Sequence, residues 1–345
     1  EGEDLTLFVN AAFRAAHPRL AETFPVVVAP VSGAHKSLRV AAEATWLVRE
    51  ARRQRIDLLH HMGGNMLRSH PPGMVTIHDL QPFAHPRNFS HLKHAYLRAT
   101  VPRSLRQAVL VVTLTEHTRR DVVDRMGVPP ERIHVVPPGI TRREVDRDQA
   151  EVARVRDLYQ LGTHPYFIYP TITYPHKNHL TLVRAFARLA ATDPEPLLVL
   201  PAGPAGAEAA LQAEIDELRV RPRIRRLGRI PRPDLDALID GATALAFPSS
   251  YEGFGIPVLE AMSRRCPVIA STATALPEVV GDAGLLVDPD DVEGWAAAMR
   301  TLLEDPSTRR DLAERGYARA GEFSWERSVE ALGAAYDAAF DRIAT

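Results

Sequence analysis

The segment SSYEGFGIPVLE at 249–260 places two carboxylates, Glu252 and Glu260, on either side of a glycine-containing turn. Pro257 suits the first turn of a helix, because a residue without an amide hydrogen loses no hydrogen bond there. The unpaired amides at such a helix start favour an anion, and the glycines let a ligand approach the backbone closely. The segment therefore predicts a diphosphate site.

The two glutamates suggest what else the ligand carries. Glu260 lies about one turn into the predicted helix, where it can accept hydrogen bonds from paired hydroxyls such as those of a ribose. Glu252 lies in the preceding loop and can reach a second polyol, such as a sugar ring. Together they predict a site for a nucleotide sugar. The alternative is an ordinary glycine turn whose carboxylates are favoured by the helix dipole.

A lysine stands at a second predicted helix start, in YPHKNHLTLVRAF at 174–186. Asn178 is a good N-cap residue, so Lys177 precedes the helix directly. A cation at this place opposes the helix dipole unless an anion is bound between them. We therefore predict that Lys177 binds phosphate, with a solvated surface lysine as the alternative.

A histidine ends a predicted strand in VTIHDLQPFAHP at 75–86. His78 can hydrogen-bond a sugar hydroxyl or position the acceptor, and the alternative is a structural histidine held by Asp79. The amides of Thr274–Leu276 stand at a further predicted helix start. They either line the donor site or belong to an ordinary helix start.

Other motifs argue against rival chemistry. We predict no metal site, because His91 and His94 lie simply one helical turn apart and the Asp-x-Asp motifs at 146–148, 234–236 and 288–290 do not follow strands. The chain has neither GxxxxGK[ST] nor a strand-linked GxGxxG, which disfavours a P-loop or a dinucleotide-binding fold.

The elements that position these residues alternate along the chain. Short apolar runs and amphipathic helical stretches follow each other in two series, separated by a polar stretch at 141–164. Such alternation predicts parallel sheets with helices on both faces, and a ligand at the carboxyl ends of the strands. We predict one domain at 1–150, a second domain at 151–322 and an amphipathic C-terminal helix at 323–345.

Composition limits the partners. The 345 residues carry a net charge of −1, so no attraction to nucleic acid is expected. A single cysteine and the absence of a membrane-length apolar run lead us to expect a cytoplasmic protein. Between Asp79 and Glu116 there are basic residues but no acidic ones. This basic stretch predicts either peripheral contact with an anionic membrane surface or a solvated helical face.

Together the motifs resemble those of the family-4 retaining glycosyltransferases, which have the GT-B fold. The segments that carry the resemblance are HDL at 78–80, VVPPGI at 135–140, HKN at 176–178, 227–262 and 276–291. The resemblance implies an α/β protein with two Rossmann-like parallel-sheet domains that face each other across a cleft. It also implies a final helix that returns to the first domain.

The resemblance assigns a role to each candidate residue. It implies that Glu252 lies near the donor sugar, Glu260 at the ribose, Lys177 at the diphosphate and His78 near the reacting sugar. It implies that backbone groups contact the donor phosphates or sugar around Gly253, Phe254, Gly255 and Ile256. Two departures stand out: Thr171 replaces a family arginine, so that Arg229 becomes a candidate for neutralising charge, and no glycine-rich loop precedes EGEDLTLF.

The function implied by the resemblance is transfer of a hexose from a nucleoside diphosphate sugar to an acceptor hydroxyl with retained configuration. HKN and HDL favour GDP-mannose as the donor over a UDP-sugar. The acceptor is expected to be a glycan, a lipid-linked glycan or a small molecule, and no cofactor or metal is expected. The alternatives are a GT-B phosphorylase and a non-catalytic nucleotide-sugar binding protein.

Overall fold

The computed structural model describes residues 4–31, 35–67, 71–142 and 148–345. Its strands are β1 Leu7–Val9, β2 Val26–Val28, β3 Leu59–His61, β4 Gly73–Ile77, β5 Leu110–Thr113, β6 Ile133–Val135, β7 Tyr166–Ile168, β8 Leu197–Leu200, β9 Ile224–Arg226, β10 Ala244–Phe247, β11 Val268–Ser271 and β12 Leu285–Val287. Its α-helices are α1 Ala11–Ala16, α2 Leu20–Thr23, α3 Lys36–Ala42, α4 Val48–Arg53, α5 Gln81–Ala84, α6 His91–Gln107, α7 Glu116–Met126, α8 Gln149–Leu158, α9 His179–Thr192, α10 Glu208–Glu217, α11 Arg232–Asp240, α12 Ile256–Met262, α13 Leu276–Val280, α14 Val292–Glu304, α15 Pro306–Ala320 and α16 Trp325–Ala344. Within the described ranges, no helix is long and apolar enough to cross a membrane.

The second half of the chain forms one six-stranded parallel sheet, in the order β12-β11-β10-β7-β8-β9. Every residue of β7, β8, β10 and β11 is buried, as expected when helices cover both faces of a sheet. The chain runs outward in one direction from β7 and in the other from β10. The boundary between these two strands is therefore the topological switch point, where a crevice forms at the strand ends.

The first half forms a four-stranded parallel sheet, β3-β4-β5-β6, and a separate two-stranded parallel sheet, β1-β2. The C-terminal helix α16 packs on the four-stranded sheet, where Ala335 and Ala339 are fully buried against Met74, Leu110 and Val112. Small side chains on the helix let its backbone approach the sheet closely. The last helix thus completes the core of the first half of the chain.

Two segments that connect the halves lie side by side. The amide of Ile140 donates to the carbonyl of Phe323 at 2.7 Å. Gly139 packs on Trp325 so closely that a Cβ atom at 139 would lie 2.6 Å from the Cα atom of Trp325. This contact joins the outgoing connection to the start of α16.

The ends and interruptions of several helices are determined by individual residues. Ser324 caps α16, because its side chain accepts a hydrogen bond from the amide of Arg327 at 3.3 Å. Asn178 is the N-cap residue of α9, as predicted, but its side chain makes no capping hydrogen bond. Its backbone is left-handed, with φ 55°, and its side-chain amide donates a hydrogen bond to the carbonyl of Pro289 at 2.6 Å. A π-helical segment, Glu43–Leu47, lies between α3 and α4. The Asp-x-Asp motif at 146–148 lies mostly outside the described residues.

Candidate functional site

The site centres on an ion pair at the switch point. Lys177 ends a short 3₁₀ turn that follows β7, and Glu252 lies in the loop that follows β10. Lys177 Nζ lies 2.6 Å from Glu252 Oε1, and the two side chains are only 17% and 13% exposed. The chain thus brings together two predicted site residues that are 75 positions apart.

Hydrogen bonds fix the backbone on both sides of this pair. The hydroxyl of Thr274 bonds both the amide and the carbonyl of Glu252, each at 2.9 Å. On the other side, the hydroxyl of Tyr169 donates to the carbonyl of Lys177 at 2.6 Å. Thr274 belongs to the segment predicted to line the donor site, and here it holds Glu252 in place.

Two histidines lie on either side of Lys177 in the sequence: His176 is half-buried and His179 is buried. Burial lowers the pKa of His176 to about 4, and the neighbouring Lys177 lowers it further in the same direction. Burial also lowers the pKa of His179 to about 4. Both imidazoles are therefore neutral at pH 7, and Lys177 supplies the positive charge of this segment. The Nδ1 atoms of both histidines are buried without a hydrogen-bond partner among the described residues.

The glycine turn at 253–255 is held by its own backbone conformation and by contacts with the other half of the chain. Gly255 has φ +104°, a conformation that residues with a side chain rarely adopt. Gly253 abuts the other half of the chain, because a Cβ atom there would lie 2.0 Å from the carbonyl oxygen of His78. The ring of Phe254 is 4% exposed and packs edge-on against Phe323 at 5.5 Å. Ile256, the first residue of α12, is exposed.

Gly253 and His78 meet at a junction between the two halves of the chain. His78 follows the last residue of β4 on the N-terminal side of this junction. Its ring is exposed, and Nε2 lies 2.8 Å from the carbonyl oxygen of Met62. Asp79 does not hold the imidazole, contrary to the structural alternative, because its Oδ1 accepts from the amide of Gln81 at 2.8 Å. The carbonyl of His78 touches Gly253, so His78 lies beside the loop that carries Glu252.

Glu260 has a partner that the sequence did not reveal. Arg232 Nη1 lies 2.7 Å from Glu260 Oε1, and the same guanidinium pairs with Asp236. Arg229, the predicted substitute for the missing family arginine, is exposed and makes no ion pair with another described residue. Thr171 is buried, and its carbonyl oxygen lies 3.2 Å from Nε2 of His179.

Three further residues join the halves, and sequence reasoning missed these contacts. The amide of Leu80 donates to the hydroxyl of Tyr251 at 3.2 Å. The carboxylate of Glu278 accepts from the amides of Glu116 and His117 at 2.8 and 2.9 Å, at the start of α7. The hydroxyl of Thr115 donates to the carbonyl of Gly253 at 3.2 Å. No local pattern signals such contacts between distant segments.

Two protein families and several known proteins are similar in sequence to most of this chain. The family described as "Glycosyl transferases group 1" matches residues 157–319, and "Glycosyltransferase Family 4" matches residues 1–144. The O-antigen chain mannosyltransferase B of Escherichia coli is 34% identical over 284 residues, which cover 81% of this chain and 73% of that protein. The chain belongs to the group 1 glycosyl transferases.

Other relatives of this glycosyltransferase agree with that assignment. The MMP alpha-(1->4)-mannosyltransferase of Mycolicibacterium hassiacum is 34% identical over 70% of this chain, which spans 57% of that relative. The structure of Anabaena Alr3699/HepE in complex with UDP and glucose aligns with a TM-score of 0.77 at 19% identity, covering 96% of this chain and 91% of that one. The structure of WaaG, a glycosyltransferase involved in lipopolysaccharide biosynthesis, aligns at 0.72 and 17% identity, covering 96% and 98%. The fold is GT-B, with two Rossmann-like parallel-sheet domains, as expected from the motifs.

Proposed function

We propose that this glycosyltransferase moves mannose from GDP-mannose to a hydroxyl of a glycan acceptor and retains the anomeric configuration. One observation carries the proposal: Lys177 and Glu252 meet at the switch point of the sheet, beside the junction that carries His78. This is the place where open parallel sheets bind nucleotides and related ligands.

Each residue has a role in the proposed reaction. Lys177 neutralises charge that develops on the departing diphosphate, aided by backbone amides rather than by a metal ion. Glu252, held by Thr274 and paired with Lys177, binds the donor sugar. Glu260 accepts hydrogen bonds from the ribose hydroxyls, and His78 binds the reacting sugar from the opposite domain. The acceptor hydroxyl attacks on the face that the diphosphate leaves, which retains configuration.

The choice of mannose rests on the relatives. The Escherichia coli and Mycolicibacterium hassiacum relatives are both mannosyltransferases and are both 34% identical to this chain. The structural neighbour with UDP and glucose is only 19% identical, so a UDP-sugar is the second donor to test.

We further propose that the acceptor is a lipid-linked glycan reached at a membrane surface. The basic stretch around α6 has five exposed cationic side chains, at Arg87, Lys93, Arg98, Arg103 and Arg106. Leu92 is 84% exposed beside them. Cosedimentation with phosphatidylglycerol vesicles but not with phosphatidylcholine vesicles is expected, and equal cosedimentation with both would remove this part of the proposal.

The donor is tested by thermal shift and by product analysis with GDP-mannose and UDP-glucose. A donor at 100 times its Kd stabilises the folded state by about 2.7 kcal/mol. We expect GDP-mannose to give this shift and Lys177→Ala and Glu260→Ala to reduce it. The exposed Lys93 and Glu293 provide matched controls, Lys93→Ala and Glu293→Ala, which should leave the shift unchanged.

The products distinguish the alternatives. Transfer of mannose with retained configuration supports the proposal, and an inverted product refutes the retaining mechanism. Release of sugar phosphate that depends on orthophosphate would identify a phosphorylase. Binding of donor without transfer to any acceptor would identify a binding protein, and no shift with any nucleotide sugar would refute the site itself.

A further inference from the structure

Tyr251 belongs to the C-terminal half of the chain, but its side chain lies among residues of the N-terminal half. It is 6% exposed. Its hydroxyl accepts from the amide of Leu80 at 3.2 Å and donates to Asp121 Oδ2 at 3.5 Å. Its ring meets the ring of His85 edge-on, with centroids 5.2 Å apart. We call Leu80, His85 and Asp121 the tyrosine socket.

The socket determines where two site loops meet. Leu80 lies two residues after His78, so Tyr251 contacts one end of the turn His78–Leu80. Gly253 contacts the other end, through the carbonyl of His78. Glu252 stands between these two contacts and pairs with Lys177. The residues before and after Glu252 thus hold the two ends of the turn that carries His78.

We propose that Tyr251 is a positioning residue for sugar transfer: its hydroxyl, held in the tyrosine socket, aligns His78 with the Lys177–Glu252 pair. The effect of this alignment on rate rests on the proposed function. Its effect on the order of the His78–Leu80 turn does not. Burial raises the pKa of the Tyr251 phenol, so the hydroxyl keeps its proton and donates at neutral pH.

The proposal separates rate from donor binding. The groups proposed to bind the nucleotide diphosphate, Lys177 and Glu260, lie in the C-terminal half and do not contact the tyrosine hydroxyl. Loss of that hydroxyl should therefore leave the donor Kd within about twofold. A displacement of reacting groups by about 1 Å can cost up to a hundredfold in rate, and a partly released turn should lower kcat by about tenfold.

The test uses Tyr251→Phe, which keeps the ring against His85 and removes only the hydroxyl. Tyr159→Phe is the matched control, because the hydroxyl of Tyr159 donates to Asp234 within the C-terminal half. For each protein we would measure the kcat of mannosyl transfer, the donor Kd and hydrogen exchange in peptides that span 78–85. We expect Tyr251→Phe to lower kcat about tenfold and to speed exchange of the Leu80 amide, and Tyr159→Phe to do neither.

The two readouts distinguish this inference from the proposed function. If the wild-type protein transfers no sugar, the proposed function fails, and faster exchange at 78–85 in Tyr251→Phe still supports the role of Tyr251 in holding the turn. If exchange at 78–85 is unchanged in Tyr251→Phe, the inference is overturned whatever the activity. If the wild-type protein is active and Tyr251→Phe keeps its kcat, or loses rate only through a weaker donor Kd, the positioning role is also overturned.

Discussion

Replacement of Gly253 by alanine should open the junction between the two halves of the site. The added Cβ atom would lie 2.0 Å from the carbonyl oxygen of His78, 2.9 Å from its carbonyl carbon and 3.0 Å from Cβ of Asp79. Ordinary van der Waals contact begins at 3.4 Å and the added atom would lie at 2.0 Å, so the two surfaces must separate by 1.4 Å. The contacted group is backbone at the end of the fully buried strand β4, and it cannot turn away as a flexible side chain would.

This separation gives the expected magnitude. A misplacement of about 1 Å in a reactive arrangement can cost about a hundredfold in rate. We therefore expect Gly253→Ala to lower kcat about a hundredfold. The donor Kd should change by less than about threefold, because Lys177 and Glu260 both lie in the C-terminal half of the chain, on the same side of the junction. Overpacking of this kind costs about 1–3 kcal/mol of stability, which leaves most of the folding free energy intact.

The assay compares kcat, donor Kd and thermal unfolding in Gly253→Ala, the wild-type protein and a control, Gly333→Ala. Gly333 lies on α16, and a Cβ atom there would meet nothing within 4 Å. The control should keep the wild-type kcat and donor Kd, and it should unfold at the same or a slightly higher temperature, because alanine is more stable than glycine inside a helix. If Gly253→Ala keeps the wild-type kcat, the junction does not set the geometry of the reaction and the reasoning is refuted.

Two further predictions concern stability. Burial lowers the pKa values of His60 and His61 to about 4, and His60 bonds Tyr336 of α16 and Thr76 of β4. The unfolded chain binds these protons near pH 6.5, so the histidines contribute their full stability only above that pH. The free energy of unfolding should fall by about 2 kcal/mol per histidine between pH 7.5 and pH 5. Urea unfolding at pH 7.5 and 5 measures this, and an unchanged midpoint contradicts it. Glu278→Ala should cost about 1–2 kcal/mol and speed exchange of the Glu116 and His117 amides, while Glu293→Ala should not, and equal exchange in both variants would show that Glu278 does not cap α7.

The sequence predicted the elements and allowed two candidate site residues to be placed near each other, because both inferences depend on local patterns. Buried strands read as apolar runs, and parallel strands place their carboxyl ends on one edge. Lys177 and Glu252 follow such runs, and their meeting at the switch point needed only that rule. The contacts of side chains were less predictable. Asn178 is the N-cap residue of α9, but its side-chain amide donates to the distant carbonyl of Pro289 instead of capping the helix.

The contacts that sequence reasoning missed join segments far apart in the chain. Arg232 and Glu260 are 28 residues apart, Glu278 and Glu116 are 162 apart, and Tyr251 and Leu80 are 171 apart. A periodic pattern reports which face of an element is buried, but it does not report which residue lies opposite. Packing within the second half of the chain brings Arg232 to Glu260, and packing of the two halves on each other brings the other two pairs together.

The density of the motif at 251–255 has a physical explanation in that packing. Tyr251 occupies the tyrosine socket, Glu252 pairs with Lys177 and Gly253 abuts His78. Phe254 packs against Phe323 where the chain returns toward the first half, and Gly255 has the left-handed backbone that starts α12. The residues proposed to hold the donor therefore share one short loop with the residues that join the halves. Any opening of the cleft must either break these contacts, which leaves the loop with Lys177, or carry the loop away from Lys177, which separates the Lys177–Glu252 pair.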